Sequence, residues 1–403
     1  MAELRTTCCI AGGGPAGMMA GYLLARAGIE VLVLEKHADF LRNFRGDTIH
    51  PSTLQVMDEL GLLDDLLRLP HQQARTLTGW IGERRVTVAD FGRLKLKCPF
   101  IAFMPQWDFL DFLARRAASF PQFHRLLRAE VQSLIEENGR IAGVRARTPD
   151  GELVVNSTLV IGADGRHSTV RERAGLEVDS LGAPMDVLWF RLPRKPGDPV
   201  EPFGRFDTGG IFVMIDRGDY WQCGYVIPKG SFDSIRNDGL AALQSTIARA
   251  VPFVSDRAGE IASWDQVSLL TVRVDRLRRW HRPGLLCIGD AAHAMSPVGG
   301  VGINLAIQDA VASANILVKP LKEGRLTESE LREVQRRREW PARVTQGVQV
   351  AIQNRVISRV LRAERKLPVP WLIRLIDAIP ALQAIPARLV GVGVRPEHVS
   401  APG

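Results

Sequence analysis

Apolar residues along the chain fall into unbroken runs, alternations and helical spacings, and the order of these patterns predicts the elements. Thr6 to Ala11 is a β-branched and apolar run, the pattern of a strand buried on both faces. It breaks at Gly12-Gly13-Gly14 and reopens at Pro15 with helical spacing (Met18, Met19, Tyr22, Leu23, Leu24) that stops at Gly28. A second run, Glu30 to Leu34, ends in Glu35, and a helix is expected from about Pro51 to Leu63. From Thr76 to Ala102 the pattern shortens to alternation (Leu77, Gly79, Ile81; Val86, Val88), which predicts strands of a different sheet. Helical spacing returns through Phe109, Leu110, Leu113 and Ala117. Leu126 to Thr148 alternates around Asn138-Gly139-Arg140 and predicts a hairpin meander, followed by a buried strand at Thr158 to Ile161.

Residues from about 180 to 280 are rich in aromatic and strand-like segments and predict a mostly antiparallel second sheet. Gly284 to Ile288 is a third all-apolar strand, and a helix is expected from the following loop to about Ile316. From about Glu328 the chain reads as helical, with Val348, Ile352, Val356 and Val360 on one face. Pro368, Pro370, Pro380 and Pro386 cut the apolar segment Trp371 to Leu389 into short pieces, which cover the core or lie on a membrane, core cover being preferred. The expected fold is α/β. A Rossmann-like dinucleotide domain is assembled from residues 1–75, 103–178 and 281–325, an interleaved, mostly antiparallel sheet domain from 76–102 and 179–280, and a helical region from 326–403.

Chemistry is expected where strands end. Gly12 permits a tight turn, Gly14 lets a pyrophosphate approach the backbone, and Gly17 lets the helix pack on the strand, so that the helix start at Pro15-Ala16 faces the anion. Glu35 lies 18 residues beyond Gly17, close to the spacing at which an acid reaches a ribose, and its carboxylate favours FAD or NAD over a 2′-phosphate. Lys36 and a polar loop follow, in which Arg45 is the residue expected to meet phosphates or the far end of the cofactor. Gln106, at a helix start, is placed for an amide contact, and Asp164-Gly165 at a strand end is a ligand contact or a plain turn. Asp290, after Gly289, is positioned to take a polyol hydroxyl. The loop Pro297-Val298-Gly299-Gly300-Val301-Gly302-Ile303-Asn304 feeds a second helix start, whose partial positive charge would stabilise an anionic reduced flavin. His50 borders the reactive ring or starts a helix, and His293 is an acid or base or a packing residue.

The composition changes little of this. Over 403 residues, 46% hydrophobic and 24% charged content is that of a globular protein of more than one domain. Five cysteines without paired spacing read as buried thiols of a reducing compartment, no metal site is expected, and the cytoplasm is the default location. The N-terminus enters the first strand at once, which leaves no room for a signal peptide, and no apolar run reaches the roughly 20 residues of a membrane helix. A net charge of +8 raises the question of anionic partners, but no nucleic-acid module is present. Arg336-Arg337-Arg338, Arg355, Arg359, Arg362 and Arg365 concentrate that charge late in the chain, on a solvated helix face or a weak membrane-surface contact.

Taken together, Gly12-x-Gly14-x-x-Gly17 with Glu35, then Asp164-Gly165, then Gly289-Asp290-Ala291-Ala292-His293 with Pro297-x-Gly299-Gly300-x-Gly302-x-Asn304 resemble the single-component (class A) flavoprotein monooxygenases of the para-hydroxybenzoate hydroxylase type. The resemblance spans roughly residues 5 to 320. It implies that Gly12, Gly14, Gly17 and Glu35 hold the ADP half of FAD, that Arg45 and Gln106 contact the cofactor, and that Asp290 takes a ribitol hydroxyl. It also implies that Asp164 belongs to a motif serving FAD and NADPH, and that Pro297 to Asn304 lies beside the isoalloxazine ring; the resemblance assigns no catalytic side chain, and His50, His293 and Pro297 are the candidates. The implied reaction has NADPH or NADH reduce FAD, oxygen add to the reduced flavin as a C4a-hydroperoxide, and the terminal oxygen pass to an electron-rich, aromatic small molecule. A reductase or dehydrogenase of the same fold and a flavin-binding, membrane-peripheral module are the alternatives. A flavin-dependent halogenase is disfavoured, because Trp221-Gln222-Cys223-Gly224-Tyr225-Val226-Ile227-Pro228 lacks the tryptophan pair of that family's Trp-x-Trp-x-Ile-Pro motif.

Overall fold

The computed structural model describes residues 2–40, 47–199, 202–208, 210–363, 365 and 368–401. Its first strand, Ala2–Ala11, is flanked by Gly151–Gly162 on one side and Val31–Glu35 on the other. Leu285–Cys287 and Phe123–Leu127 extend the sheet outward, all five strands running parallel. This order makes the first strand a topological switch point, so the crevice at its C-terminal end is where such sheets bind ligands. The first strand is longer than its apolar run because Ala2 to Thr6 pairs with Leu153 to Ser157, below the buried half. Phe123–Leu127, expected in part as meander, is instead the outer parallel strand, where the Phe123 ring packs behind the first helix at Gly21. The meander itself is the hairpin Glu130–Glu137 and Arg140–Thr148, turned at Asn138 and Gly139 with φ of 49° and 76°.

Helix α1 (Pro15–Arg26) follows the first strand, and α2 (Pro51–Glu59) stops earlier than expected because Gly61 at φ 70° breaks it from the short helix Leu63–Leu67. Helix α3 (Gln106–Ala117) returns the chain to the parallel sheet. The second sheet has seven strands and is antiparallel except where Phe203–Asp207 meets Thr76–Ile81. Alternation splits its strand Tyr220–Pro228. Trp221, Cys223, Tyr225 and Ile227 face a core shared with Leu243 and Ile247, and Gln222, Gly224 and Val226 take the other face. Ile101–Phe103 does not join this sheet. It pairs with Thr48–Ile49 and Gln72–Ala74.

Helix α4 (Gly302–Lys322) runs six residues past its expected end and is the central helix. The segment Val298–Lys322 is long and apolar enough to cross a membrane, contrary to the sequence expectation, but 83% of its most apolar window is buried inside the protein. It is a core helix, and its buried Asn304, Gln308 and Asp309 are held by other parts of the chain.

Helix α5 (Glu328–Ile352) corrects a second expectation. The buried stripe is Gln346, Gln349, Gln353, Ile357 and Val360, whereas Ile352 is exposed. A π-helical turn at Gln353–Ile357 shifts the register, and the glutamines are buried because they hydrogen-bond to backbone. The Gln349 amide donates to the Ser296 and Val298 carbonyls at 3.0 and 2.8 Å and its oxygen accepts from Ser296 N–H at 3.2 Å, while Gln346 donates to the Asp275 and Ala294 carbonyls.

Helices α6 (Trp371–Ala378) and α7 (Ala384–Gly391) answer the core-cover expectation in two halves. Ala387 and Gly391 pack inward, Gly391 against the Phe91 ring and Pro51, but no residue of α6 is buried. The inner end of α7 is tied down by His50, which is fully buried and donates Nδ1–H to the Val390 carbonyl at 2.8 Å. Burial lowers the His50 imidazole from its usual value to about 4, against the pull of the Val390 and Gly300 carbonyls. An unfolded histidine titrates near 6.5. Between these values the unfolded chain binds the extra proton, so stability falls as pH drops from about 6.5 to 4, by at most about 3 kcal/mol. Urea denaturation at pH 7 and pH 4.5 should show that loss, and His50→Asn should flatten this part of the profile.

Candidate active site

The parallel strands bring their C-terminal ends, Ala11, Glu35, Gly162 and Cys287, to one edge. Gly12, at φ 103°, lies so close to the strand end beside it that a Cβ would stand 2.4 Å from the Ala163 carbonyl oxygen. Gly17 is equally constrained, since its Cβ would lie 1.9 Å from the Gly12 oxygen. Around Gly14 the space is open. Helix α1 starts at Pro15 and Ala16 with no side-chain cap and no acid in its first turn. Glu35 closes the second strand and accepts from Gly13 N–H at 2.8 Å and His37 N–H at 3.0 Å, which fixes its carboxylate beside the glycine turn. Arg45 lies outside the described residues.

Asp164 accepts from Val170 N–H at 3.0 Å through Oδ2, while its Oδ1 is buried with no partner. Burial raises its carboxyl above the usual value, against the hydrogen bonds from Ser168 and the backbone. Arg166 stands 3.7 Å from Asp290, which joins the Asp-Gly and Gly-Asp motifs. Arg171, which carried no weight in the sequence, fastens them from behind by donating to the Arg166 carbonyl at 2.6 Å, the Ala291 carbonyl at 3.4 Å and Asp275 at 3.2 Å. Exposed His167 was also passed over, although it directly follows Asp164-Gly165-Arg166. Burial lowers its imidazole, and the surrounding charges of Arg273, Arg166, Arg171 and Lys36 lower it further.

Gly289 is wedged between Ala16 of α1 and Ala306 of α4. Its N–H donates to Asp309 at 3.0 Å, and the same carboxylate takes His293 Nε2 at 2.6 Å and Arg338 Nε at 3.0 Å. Burial pushes Asp309 up, but His293, Arg338 and the Gly289 N–H outweigh it and hold the carboxyl below its usual value. His293 is therefore committed to the support behind the loop, and buried His50 to the α7 tether. Pro297 is exposed.

Thr48 donates to the Gly300 carbonyl at 2.9 Å, and Gly299, Gly300, Val301, Gly302 and Ile303 lead into α4, whose start has neither a side-chain cap nor an acid. Asn304 Oδ1 is occupied by Ser52 at 2.8 Å and Thr53 at 2.6 Å, so this side chain braces α2. Gln106 opens α3 beside Asp47. Asp47, Arg217 and Gln222 form a buried cluster that the sequence did not disclose, with Asp47 2.6 Å from both partners and Arg217 Nε donating to Gln222 at 3.1 Å. Burial raises the Asp47 carboxyl, against Arg217 and Gln222. This cluster ties Asp47, next to Thr48, to the second sheet. Beyond it that sheet face is apolar. Trp189 lies over Gly224, where a Cβ would meet the ring at 3.1 Å, and Val187, Ile211 and Val226 pack with Val298 of the glycine loop.

The open Gly14, the bare start of α1 and the unpartnered Asp164 Oδ1 fit a dinucleotide lying along this edge, with the start of α4 beside its far end. Among the described residues no group of three or more His, Cys, Asp or Glu side chains is placed to hold a metal ion. The FAD binding domain family matches residues 5–348. The chain is 33% identical over 96% of its length to 6-methylpretetramide 4-monooxygenase of Streptomyces rimosus, covering 92% of that protein. It is 27% identical to 3-demethoxyubiquinol 3-hydroxylase of Escherichia coli, with 80% of this chain and 82% of that protein covered. In fold it is similar to the crystal structure of p-nitrophenol 4-monooxygenase from Pseudomonas putida, with a TM-score of 0.79, 19% identity, and 98% and 100% of the two chains covered. The chain belongs to the FAD binding domain family and, within it, to the FAD-dependent class A flavoprotein monooxygenases.

Proposed function

We propose that this monooxygenase hydroxylates a large, apolar, phenolic ring system. The observation that carries the reading is the uncharged wall around half-buried Trp189, Val213 and Val298, whose inner residues Val187, Ile211 and Val226 pack under Ile357 and Val360. Such a wall excludes water and gives a polycyclic aromatic its contact area. The relative that acts on 6-methylpretetramide supports the same class of substrate. The sheet pairings support the division into a nucleotide domain (1–75, 103–178 and 281–325), a substrate sheet (76–102 and 179–280) and a helical region (326–403). The five free, buried cysteines support a cytoplasmic location.

When bound, FAD supplies the redox and oxygen-activating chemistry, drawing electrons from NADPH or NADH. The side chains would bind and orient it. Glu35 takes the ribose, Gly12, Gly14 and Gly17 admit the pyrophosphate to the start of α1, and Asp290 takes a ribitol hydroxyl. The bare start of α4 directs its N–H groups at the pyrimidine edge, where negative charge collects on reduction. Lys36, Arg166 and Arg273, grouped around a neutral His167, offer a cationic surface to the phosphates of the nicotinamide coenzyme. The basic C-terminal helices touch a membrane surface.

Rapid mixing of the anaerobically reduced protein with oxygenated buffer and a phenolic polycycle tests the function. A transient spectrum distinct from reduced and oxidised flavin, followed by hydroxylated product, is expected. Smooth, slow reoxidation under all conditions would favour the reductase. Glu35→Ala should weaken FAD binding at least tenfold, read by flavin retained after gel filtration with the thermal midpoint as folding control. Arg273→Ala should raise KM for the nicotinamide coenzyme about tenfold and leave kcat within twofold, read in steady-state assays of coenzyme oxidation.

A further inference from the structure

The second half of the C-terminal region exposes its apolar residues instead of burying them. Trp371 is 75% exposed and Ile385 66%, and Leu372, Leu375 and Ile379 are exposed beside them. They sit on α6, just past it at Ile379 and at the start of α7, short helices set apart by prolines and joined through Pro380–Gln383 into one apolar tip. The exposed charges described along this C-terminal segment are basic. Arg355, Arg359, Arg362, Arg365, Arg374 and Arg388 are exposed, and none is ion-paired among the described residues. The one acid described between Gln353 and Pro396, Asp377, is already held by Arg84 at 3.1 Å and by Thr87 N–H at 2.9 Å.

We infer that this tip docks on an anionic lipid bilayer, with Trp371, Leu372, Leu375, Ile379 and Ile385 entering the interface and the arginines meeting lipid phosphates. The inference deepens the membrane contact proposed above, on which it rests, by naming its residues and the sign of its partner. A Trp-bearing apolar tip that also carries exposed Arg374 and Arg388 has the composition of an interfacial segment. A second copy is a poor partner, because a two-fold contact would set this arginine-bearing patch against another of the same charge. The tip is also close to the chemistry. Along α7, Ile385 and Val390 are about 7.5 Å apart at 1.5 Å per residue, and Val390 packs with Val301 of the glycine loop and holds His50. Docking would set that loop next to the bilayer, from which an apolar substrate could pass without crossing water.

Flotation of the full-length, FAD-loaded protein with vesicles tests this. One set is phosphatidylcholine alone and the other contains 30% phosphatidylglycerol, each at low and high salt. The expected result is recovery with the anionic vesicles, weakened by salt and reduced at least fivefold in Trp371→Ser/Ile385→Ser and in Arg374→Glu/Arg388→Glu, with flavin content and turnover of a soluble phenol unchanged. Binding that both double variants retain would overturn this site and leave a membrane contact elsewhere. Failure to float with either vesicle would overturn both, and concentration-dependent dimerisation abolished by Trp371→Ser would assign the patch to a second copy. None of these outcomes bears on the hydroxylation, which the oxygen-mixing experiment reads separately.

Discussion

The carboxylate of Asp309 is the interaction on which the site depends. Stripping such a group of water costs several kcal/mol, and the charge is tolerated only because its surroundings answer it completely. Gly289 N–H, His293 and Arg338 do so, and Arg338 passes the link to Glu397, which Arg337 also binds. One side chain of α4 thus fixes the Gly-Asp loop, α5 and the C-terminal tail at once. Had any one of these partners been absent, the remaining charge would be buried without compensation. The position of Asp290 at the strand end is therefore set by residues that touch neither cofactor nor substrate.

A second set of buried polar groups joins the two sheets. Arg217 and Gln222 of the substrate sheet hold Asp47, its neighbour Thr48 holds Gly300, and the Gln349 amide holds Ser296 and Val298 from the other side. The glycine loop is thereby immobilised through its backbone, which leaves its N–H groups oriented before any ligand arrives. Against this polar scaffolding the wall of Val187, Trp189, Ile211 and Val226 is uncharged. Polar groups position and apolar groups exclude water, and the division follows the boundary between the loops and the second sheet.

The nucleotide half was legible in the sequence because its constraints are local. A strand, a glycine turn and a helix start follow one another in Thr6 to Leu24, and Glu35 falls where the next strand ends. The substrate sheet was legible as strands, yet its inward residues carried no chemical code, so Trp189 and the Asp47 cluster went unread. The largest misreading was α5. Four-residue spacing chose Val348, Ile352, Val356 and Val360 for the buried face, whereas a π-turn and the hydrogen-bonding demand of residues 294–298 buried Gln346, Gln349 and Gln353. No hydropathy pattern reveals a glutamine that is buried for its amide. The same holds for Arg171 and Asp309, whose partners lie far away in sequence.

How this chain caps its helices bears on the site independently. Helix α5 begins with a full capping box, Thr327 and Glu330, and the short helix Thr169–Arg173 is capped by Ser168. A missing cap costs about 1 kcal/mol, so a chain able to supply caps has reason to do so at every helix start. The starts of α1 and α4, which border the crevice, have neither a capping side chain nor an acid in the first turn, a bareness they share with α2, α6 and α7. An Asp or Ser at either start would satisfy the free N–H groups and occupy the place of an anion. Leaving both starts bare lowers the stability of the empty protein and reserves those donors for pyrophosphate at one end and for the reduced ring at the other. What sets these two starts apart is their place: each follows a glycine turn at the crevice, where a bound dinucleotide would meet the free N–H groups.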